Sequence, residues 1–196
     1  MTADSQKDLL LAGITILDGA LAPQGFAFQF RGEGAGSGGP FAWGEFVRGD
    51  RRLELHYRNA LGKVAYHVQD KSAPHESYMR QLGVWADCEY PGTSIGSLQG
   101  FRGLAHDLAY AKDFLDGDAK VLLLAAESEA AAAAVQRERL AASYAGDARC
   151  IEEMNSLFKA KRYADVVAAF DTLHSPHLLS EAQRRLVQLA RNRASG

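Results

Sequence analysis

Leu53-Glu54-Leu55-His56-Tyr57-Arg58-Asn59-Ala60-Leu61-Gly62-Lys63-Val64-Ala65-Tyr66-His67-Val68 decides the fold. Leu53, Leu55 and Tyr57 alternate with Glu54, His56 and Arg58, and Val64, Tyr66 and Val68 alternate with Lys63, Ala65 and His67. A period of two sends successive side chains to opposite faces of a strand. Asn59-Ala60-Leu61-Gly62 supplies a turn between the two runs. The stretch therefore reads as an antiparallel hairpin with one apolar and one polar face. Setting Asn59 opposite Gly62 places Tyr57 against Val64, Leu55 against Tyr66, Glu54 against His67 and Arg58 against Lys63, with His56 a diagonal neighbour.

Upstream, Phe41 to Val47 continues the pattern, with Phe41, Trp43 and Val47 on one side, and Gly49-Asp50 turns the chain. Phe26, Phe28 and Phe30 alternate with Ala27 and Gln29 in a further strand. The segment Gly32 to Pro40 between them reads as a flexible connection. Leu10, Ile14, Leu17 and Leu21 follow helical spacing, which predicts a helix over 5–19 that ends at Gly19 and Pro23. These four strands form a meander whose buried face carries leucines, valines and aromatics.

After Asp70 the pattern turns helical. Ser72 is positioned to cap a helix with Pro74 in its first turn, ending near Gly83. Pro91, Gly92, Gly96 and Gly100 mark a loop over 91–100. Helices follow over 101–115, 119–145, 148–159, 162–173 and 180–193, with breaks at Asp116-Gly117-Asp118 and Gly146-Asp147. Ala130 to Ala134 predict a tightly packed helix, since alanine combines high propensity with a small side chain. The fold class is α+β: an N-terminal helix and a four-stranded antiparallel meander, then about six helices. Residues 1–117 form the sheet with its covering helices, and 118–196 a helical extension or subdomain.

The chain has 196 residues, 22 Lys plus Arg, 24 Asp plus Glu and a formal charge of -2. That balance argues against nucleic acid as the partner. No apolar run approaches the roughly 20 residues that span a bilayer. Asp4, Asp8 and Asp18 against Lys7 spoil the charge pattern of a secretory leader, so a cytoplasmic location is expected. Cys88 and Cys150 form no CxxC pair, and two reduced, half-buried thiols are expected.

Gly34-Ala35-Gly36-Ser37-Gly38-Gly39 matches GxGxxG but leads into a strand, whereas a dinucleotide fingerprint opens a helix. No GK[ST], HExxH or GxSxG occurs. His75-Glu76 is followed by Met79 where a second histidine is required, and His106-Asp107 are helical neighbours that do not face each other. No catalytic residue, metal ligand or cofactor is assigned. The polar face (Glu54, His56, Arg58, His67) and the basic C-terminal helix (Arg184, Arg185) are the candidate partner-binding residues.

Tyr163, Val166, Val167, Phe170 and Leu173 resemble the second helix of a tetratricopeptide hairpin, with Met154 at the position of that family's glycine. The order helix–strands–helices, the size and the near-neutral charge resemble small bacterial proteins of the toxin-immunity type. That resemblance implies a non-catalytic protein-binding protein, an immunity-type inhibitor or adaptor that covers a partner's surface, the partner being a toxin or a second copy. Two alternatives stay open: a small hydrolase or transferase using His67 with Glu54, and a homo-oligomeric scaffold built on the alanine-rich helix.

Overall fold

A computed structural model describes residues 5–91 and 98–194. Asp4 and most of the expected 91–100 loop lie outside the described residues. The chain divides into two compact units, 1–130 and 131–196. The fold is mixed helix and antiparallel sheet.

In the first unit, α1 (Gln6–Leu21) starts on a capping box in which Ser5 and Asp8 exchange side-chain-to-backbone hydrogen bonds. This arrangement satisfies donors the first helical turn leaves open. Leu10, Ile14, Leu17 and Leu21 are all buried, as their spacing requires. The sheet runs β1 (Ala27–Gly36), β2 (Gly39–Arg48), β3 (Arg51–Tyr57), β4 (Leu61–Val68) and β5 (Lys71–Pro74), neighbours in chain order and all antiparallel. Its inner face buries Phe46, Leu53, Leu55, Tyr57 and Tyr66 completely against α1 and the helices that follow.

Four local expectations are corrected. There are five strands, not four, because Lys71–Pro74 pairs with β4. Ser72 lies in that strand, and Pro74 is the residue before α2 (His75–Leu82) without a side-chain cap. The glycine-rich segment is sheet, not a flexible connection: Gly32 pairs with Trp43 and Gly34 with Phe41, and only Ser37-Gly38 remain as the turn. Ladder hydrogen bonds to β2 outweigh the entropy glycine loses there. The central hairpin has a different register: Glu54 pairs with Ala65, Arg52 with His67 and His56 with Lys63, with an irregularity between His56 and Tyr57.

The helices are also partitioned differently. The expected 101–115 helix is α3 (Gln99–Asp107) and α4 (Lys112–Leu115), joined by turns. Arg48 and Arg51, from β2 and β3, donate to the carbonyls of Leu115, Phe114 and Gly117, where α4 leaves acceptors open. The expected break at Gly146-Asp147 is absent, and α5 runs continuously over Lys120–Lys159. One glycine costs a helix only about 1 kcal/mol. Ala130 to Ala134 are exposed, so intrinsic propensity and not close packing explains that run.

In the second unit, the end of α5 meets α6 (Tyr163–Asp171) and α7 (Glu181–Ala194) around Met154, Val166, Val187 and Ala190. Tyr163, Val167, Phe170 and Leu173 pack on that core. Asp147 accepts from the backbone N–H groups of His174 and Ser175, both at 2.9 Å, which ties the α6–α7 connection to α5. Among the described residues no helix is long and apolar enough to cross a membrane.

Two positions test this packing. A Cβ on Gly103 would lie 2.8 Å from the Glu89 carbonyl oxygen and 3.0 Å from the Tyr90 nitrogen. Both are backbone atoms that cannot step aside, so Gly103→Ala is expected to lower unfolding free energy by about 2–3 kcal/mol in a denaturant titration. The Tyr57 hydroxyl is buried with no hydrogen-bond partner among the described residues. Removing an orphaned buried hydroxyl recovers desolvation cost, so Tyr57→Phe is expected to be neutral or stabilising by up to about 1–2 kcal/mol.

Candidate functional site

The period-two pattern leaves the outer sheet face polar. Its centre is Glu54 on β3. Oε1 of Glu54 lies 2.6 Å from His56 Nε2 and 2.8 Å from Lys63 Nζ, and Oε2 lies 2.8 Å from His67 Nε2. Directly across on β2 stands Glu45. It accepts from Arg31 Nε at 2.6 Å and pairs with Arg52 at 3.5 Å. Arg31 is the unpaired residue between Phe30 and Gly32, where the β1 register shifts. Trp43 stacks on the His56 ring at 5.5 Å, and the Arg58 guanidinium lies over Phe41 at 5.5 Å. A hollow of about 370 Å³ is lined by Phe41, His56, Tyr57, Arg58, Gly62 and Lys63.

The electrostatics follow from these contacts. Burial alone would raise the Glu54 carboxyl, but hydrogen bonds from Lys63, His56 and His67 together with the Lys63 charge outweigh it and bring the group down to about 2. His67 is held below its ordinary value because burial exceeds the lift from Glu54. Its contact is thus an Nε2–H donated by a neutral ring. Arg31, Arg52 and Lys63 pair with two carboxylates and Arg58 lies over Phe41, so the face is locally cationic although the chain carries -2.

The structure therefore brings Glu54, His56 and His67 together despite the corrected register, and of these His56 lines the hollow together with Arg58. Arg184 and Arg185 belong to the other unit. Arg184 donates to the Leu179 carbonyl at 2.9 Å, and Arg185 is exposed. Their helix does not present a free basic stripe: Arg193 lies over the Phe158 and Tyr163 rings, and Arg191 over Phe170.

A second cluster is buried and was not read from the sequence. His75 Nε2 meets Asp107 Oδ2 at 3.0 Å, and His75 Nδ1 meets the Tyr66 hydroxyl at 3.0 Å. Asp107 also accepts from the Glu89 and Tyr90 N–H groups at 2.8 and 3.0 Å and contacts His106 Nδ1 at 3.0 Å. His106 and Asp107 do touch, correcting the expectation from helical neighbours. Burial would raise Asp107, but His75, His106 and the two backbone N–H groups bring it down to about 2. Cys88 completes the group: one donor atom from each of His75, Cys88 and Asp107 lies within 4.8 Å of the others, a set that could hold a metal ion. Burial first, and the Asp107 charge second, push the Cys88 thiol up to about 11, so it is not a ready nucleophile. The signal that could have found this cluster was the rarity of buried His and Asp, which need partners.

Cys88 and Cys150 are both free and partly buried. The chain matches no protein-family model, no curated protein and no solved structure.

A carboxyl lowered on folding stabilises above its unfolded value, and that contribution disappears as pH falls through the folded value. For Glu54 the window runs from its ordinary 4.5 to about 2. Glu54→Gln is therefore expected to flatten stability across that window and to cost on the order of 2 kcal/mol at neutral pH, read from denaturant titrations at a series of pH values.

Proposed function

We propose that the chain is a non-catalytic protein-binding module whose outer sheet face engages an acidic protein surface. The observation that carries this reading is the composition of that face. Arg31, Arg52 and Lys63 pair with two carboxylates, Trp43 stacks on His56 beside them, and Arg58 adds a fourth cation over Phe41, in a molecule whose overall charge is negative. The Glu54 network contributes to stability, but Arg58 makes no ion pair among the described residues and its half-exposed neighbours add under about 1 kcal/mol per pair, so the cationic excess has no structural need behind it. Rim charges of this kind set encounter rate and partner choice, and flanking aromatics supply anchors. Acting by covering a partner's surface, as an immunity-type inhibitor or an adaptor does, fits this arrangement. A toxin is then the partner, and free thiols at Cys88 and Cys150 suit a cytoplasmic setting.

One observation favours a second reading, a small hydrolase. Ser72 pairs with His67 across β4 and β5, and His67 in turn contacts Glu54. That order places a hydroxyl, an imidazole and a carboxylate on adjacent strands. No hydrogen bond joins Ser72 to His67, which weighs toward the binding reading.

Immobilised protein incubated with lysate from the source organism tests the two. Arg58→Glu and Lys63→Ala alter the hollow without entering the core. A stoichiometric partner held by the wild type, weakened at least about tenfold by either change and eluted by salt, is the expected result. Arg184→Glu in the other unit is expected to leave binding intact. A partner indifferent to Arg58 and Lys63, or no stoichiometric partner, overturns the proposal. Hydrolysis of ester substrates that disappears in Ser72→Ala supports the second reading.

A further inference from the structure

We propose that His75, Cys88 and Asp107 form a zinc-binding site. The three side chains come from separate pieces of chain: the first residue of α2, the residue following the short helical turn Trp85–Asp87, and the last residue of α3. Folding alone brings them together, with one donor atom of each inside 4.8 Å of the other two. A tetrahedral ion with bonds of 2.0–2.3 Å needs donor separations of roughly 3.3–3.8 Å. Closing the remaining gap falls to Cys88, whose backbone is extended and outside any helix. His75 and Asp107 are already in contact at 3.0 Å.

The surroundings are those of oriented ligands. A metal-bound histidine is normally steered by a partner on its other ring nitrogen. Here the Tyr66 hydroxyl occupies Nδ1 and points Nε2 at Asp107. The Asp107 carboxylate is itself aimed by the Glu89 and Tyr90 N–H groups. Trp85 and Tyr90 pack against the His75 ring, at centroid distances of 6.4 and 5.0 Å, and fix its plane.

The donor set selects the ion. Magnesium and calcium take oxygen ligands, whereas a thiolate with an imidazole and a single carboxylate suits zinc. On binding, Cys88 gives its thiol proton to solvent and forms the Zn–S bond. The imidazole changes tautomer: Nε2 releases the proton it shares with Asp107 as zinc takes that nitrogen, and Nδ1, which accepts from the Tyr66 hydroxyl in the metal-free chain, takes up one proton, so the ring stays neutral and Nδ1–H then donates to the Tyr66 oxygen. Three protein ligands leave a fourth position for water or for a group on a bound molecule.

The experiment uses the full chain with no histidine tag. After incubation with zinc and exhaustive dialysis, metal analysis is expected to find about one zinc per chain. Cobalt in its place is expected to show the near-ultraviolet charge-transfer band of a cobalt–thiolate bond. Cys88→Ser is expected to remove that band and to weaken zinc at least about 100-fold, with the circular dichroism spectrum unchanged. Tyr66→Phe, which removes only the outer partner of the imidazole, is expected to weaken zinc about tenfold. Retention below about a tenth of an equivalent overturns the proposal, as does a cobalt complex without the thiolate band. Zinc bound equally well by wild type and Cys88→Ser also overturns it, since the ion then sits elsewhere. The wild-type cobalt spectrum decides the matter even if a variant fails to fold.

Discussion

Burial of the inner sheet face is the constraint to which the first unit answers. Leu53, Leu55, Tyr57 and Tyr66 leave no surface exposed, and each such side chain contributes about 1.5–3 kcal/mol when taken out of water. No combination of exposed ion pairs competes with that sum. The strict period of a strand then leaves no choice about the other side. Glu54, His56 and His67 go outward because their neighbours go inward. The polar network on the outer face is in this sense a by-product of burial in its position, though not in its composition.

The two polar clusters illustrate opposite solutions to the cost of charge. On the outer face, Glu54 keeps part of its hydration and collects three side-chain donors. Asp107 has no exposed surface, and it draws two of its four partners from backbone N–H groups. Backbone donors cannot swing away, so Asp107 pins the Glu89-Tyr90 segment onto α3. Gly103, one turn earlier on the same helix, permits that approach because it has no Cβ. The position of Cys88 beside His75 depends on the same anchoring. The buried cluster therefore couples local backbone path to donor geometry, while the outer face presents a side-chain network built on one sheet surface.

Much of the architecture was legible. The N-terminal helix, its buried face, the alternation through residues 53–68 and the largely helical second half followed from spacing, although the helical pattern was expected from residue 71 and begins at His75. The failures share a cause. Gly32 to Gly36 carry no strand preference of their own, and only pairing with Trp43, Phe41 and their neighbours makes them sheet. Gly146-Asp147 looked like a stop, yet Asp147 spends its side chain on His174 and Ser175, far along the chain, and leaves its own helix unbroken. The turn closes more tightly than Asn59 opposite Gly62 would require, with Tyr57 paired to Leu61, and this sets Glu54 against Ala65; Glu54 still meets His67 as a diagonal neighbour and His56 two residues along its own strand.

By itself, then, the sequence determined which side chains share a face, because that depends only on the repeat of the backbone and on the preference of apolar groups to leave water. Which groups come within bonding distance was decided by tertiary structure alone. His75 and Asp107 are 32 residues apart, with Cys88 between them on a segment of irregular backbone. No periodicity links such positions. Their meeting results from helix ends and a turn being drawn onto one core, and the energy that draws them there is supplied by other residues.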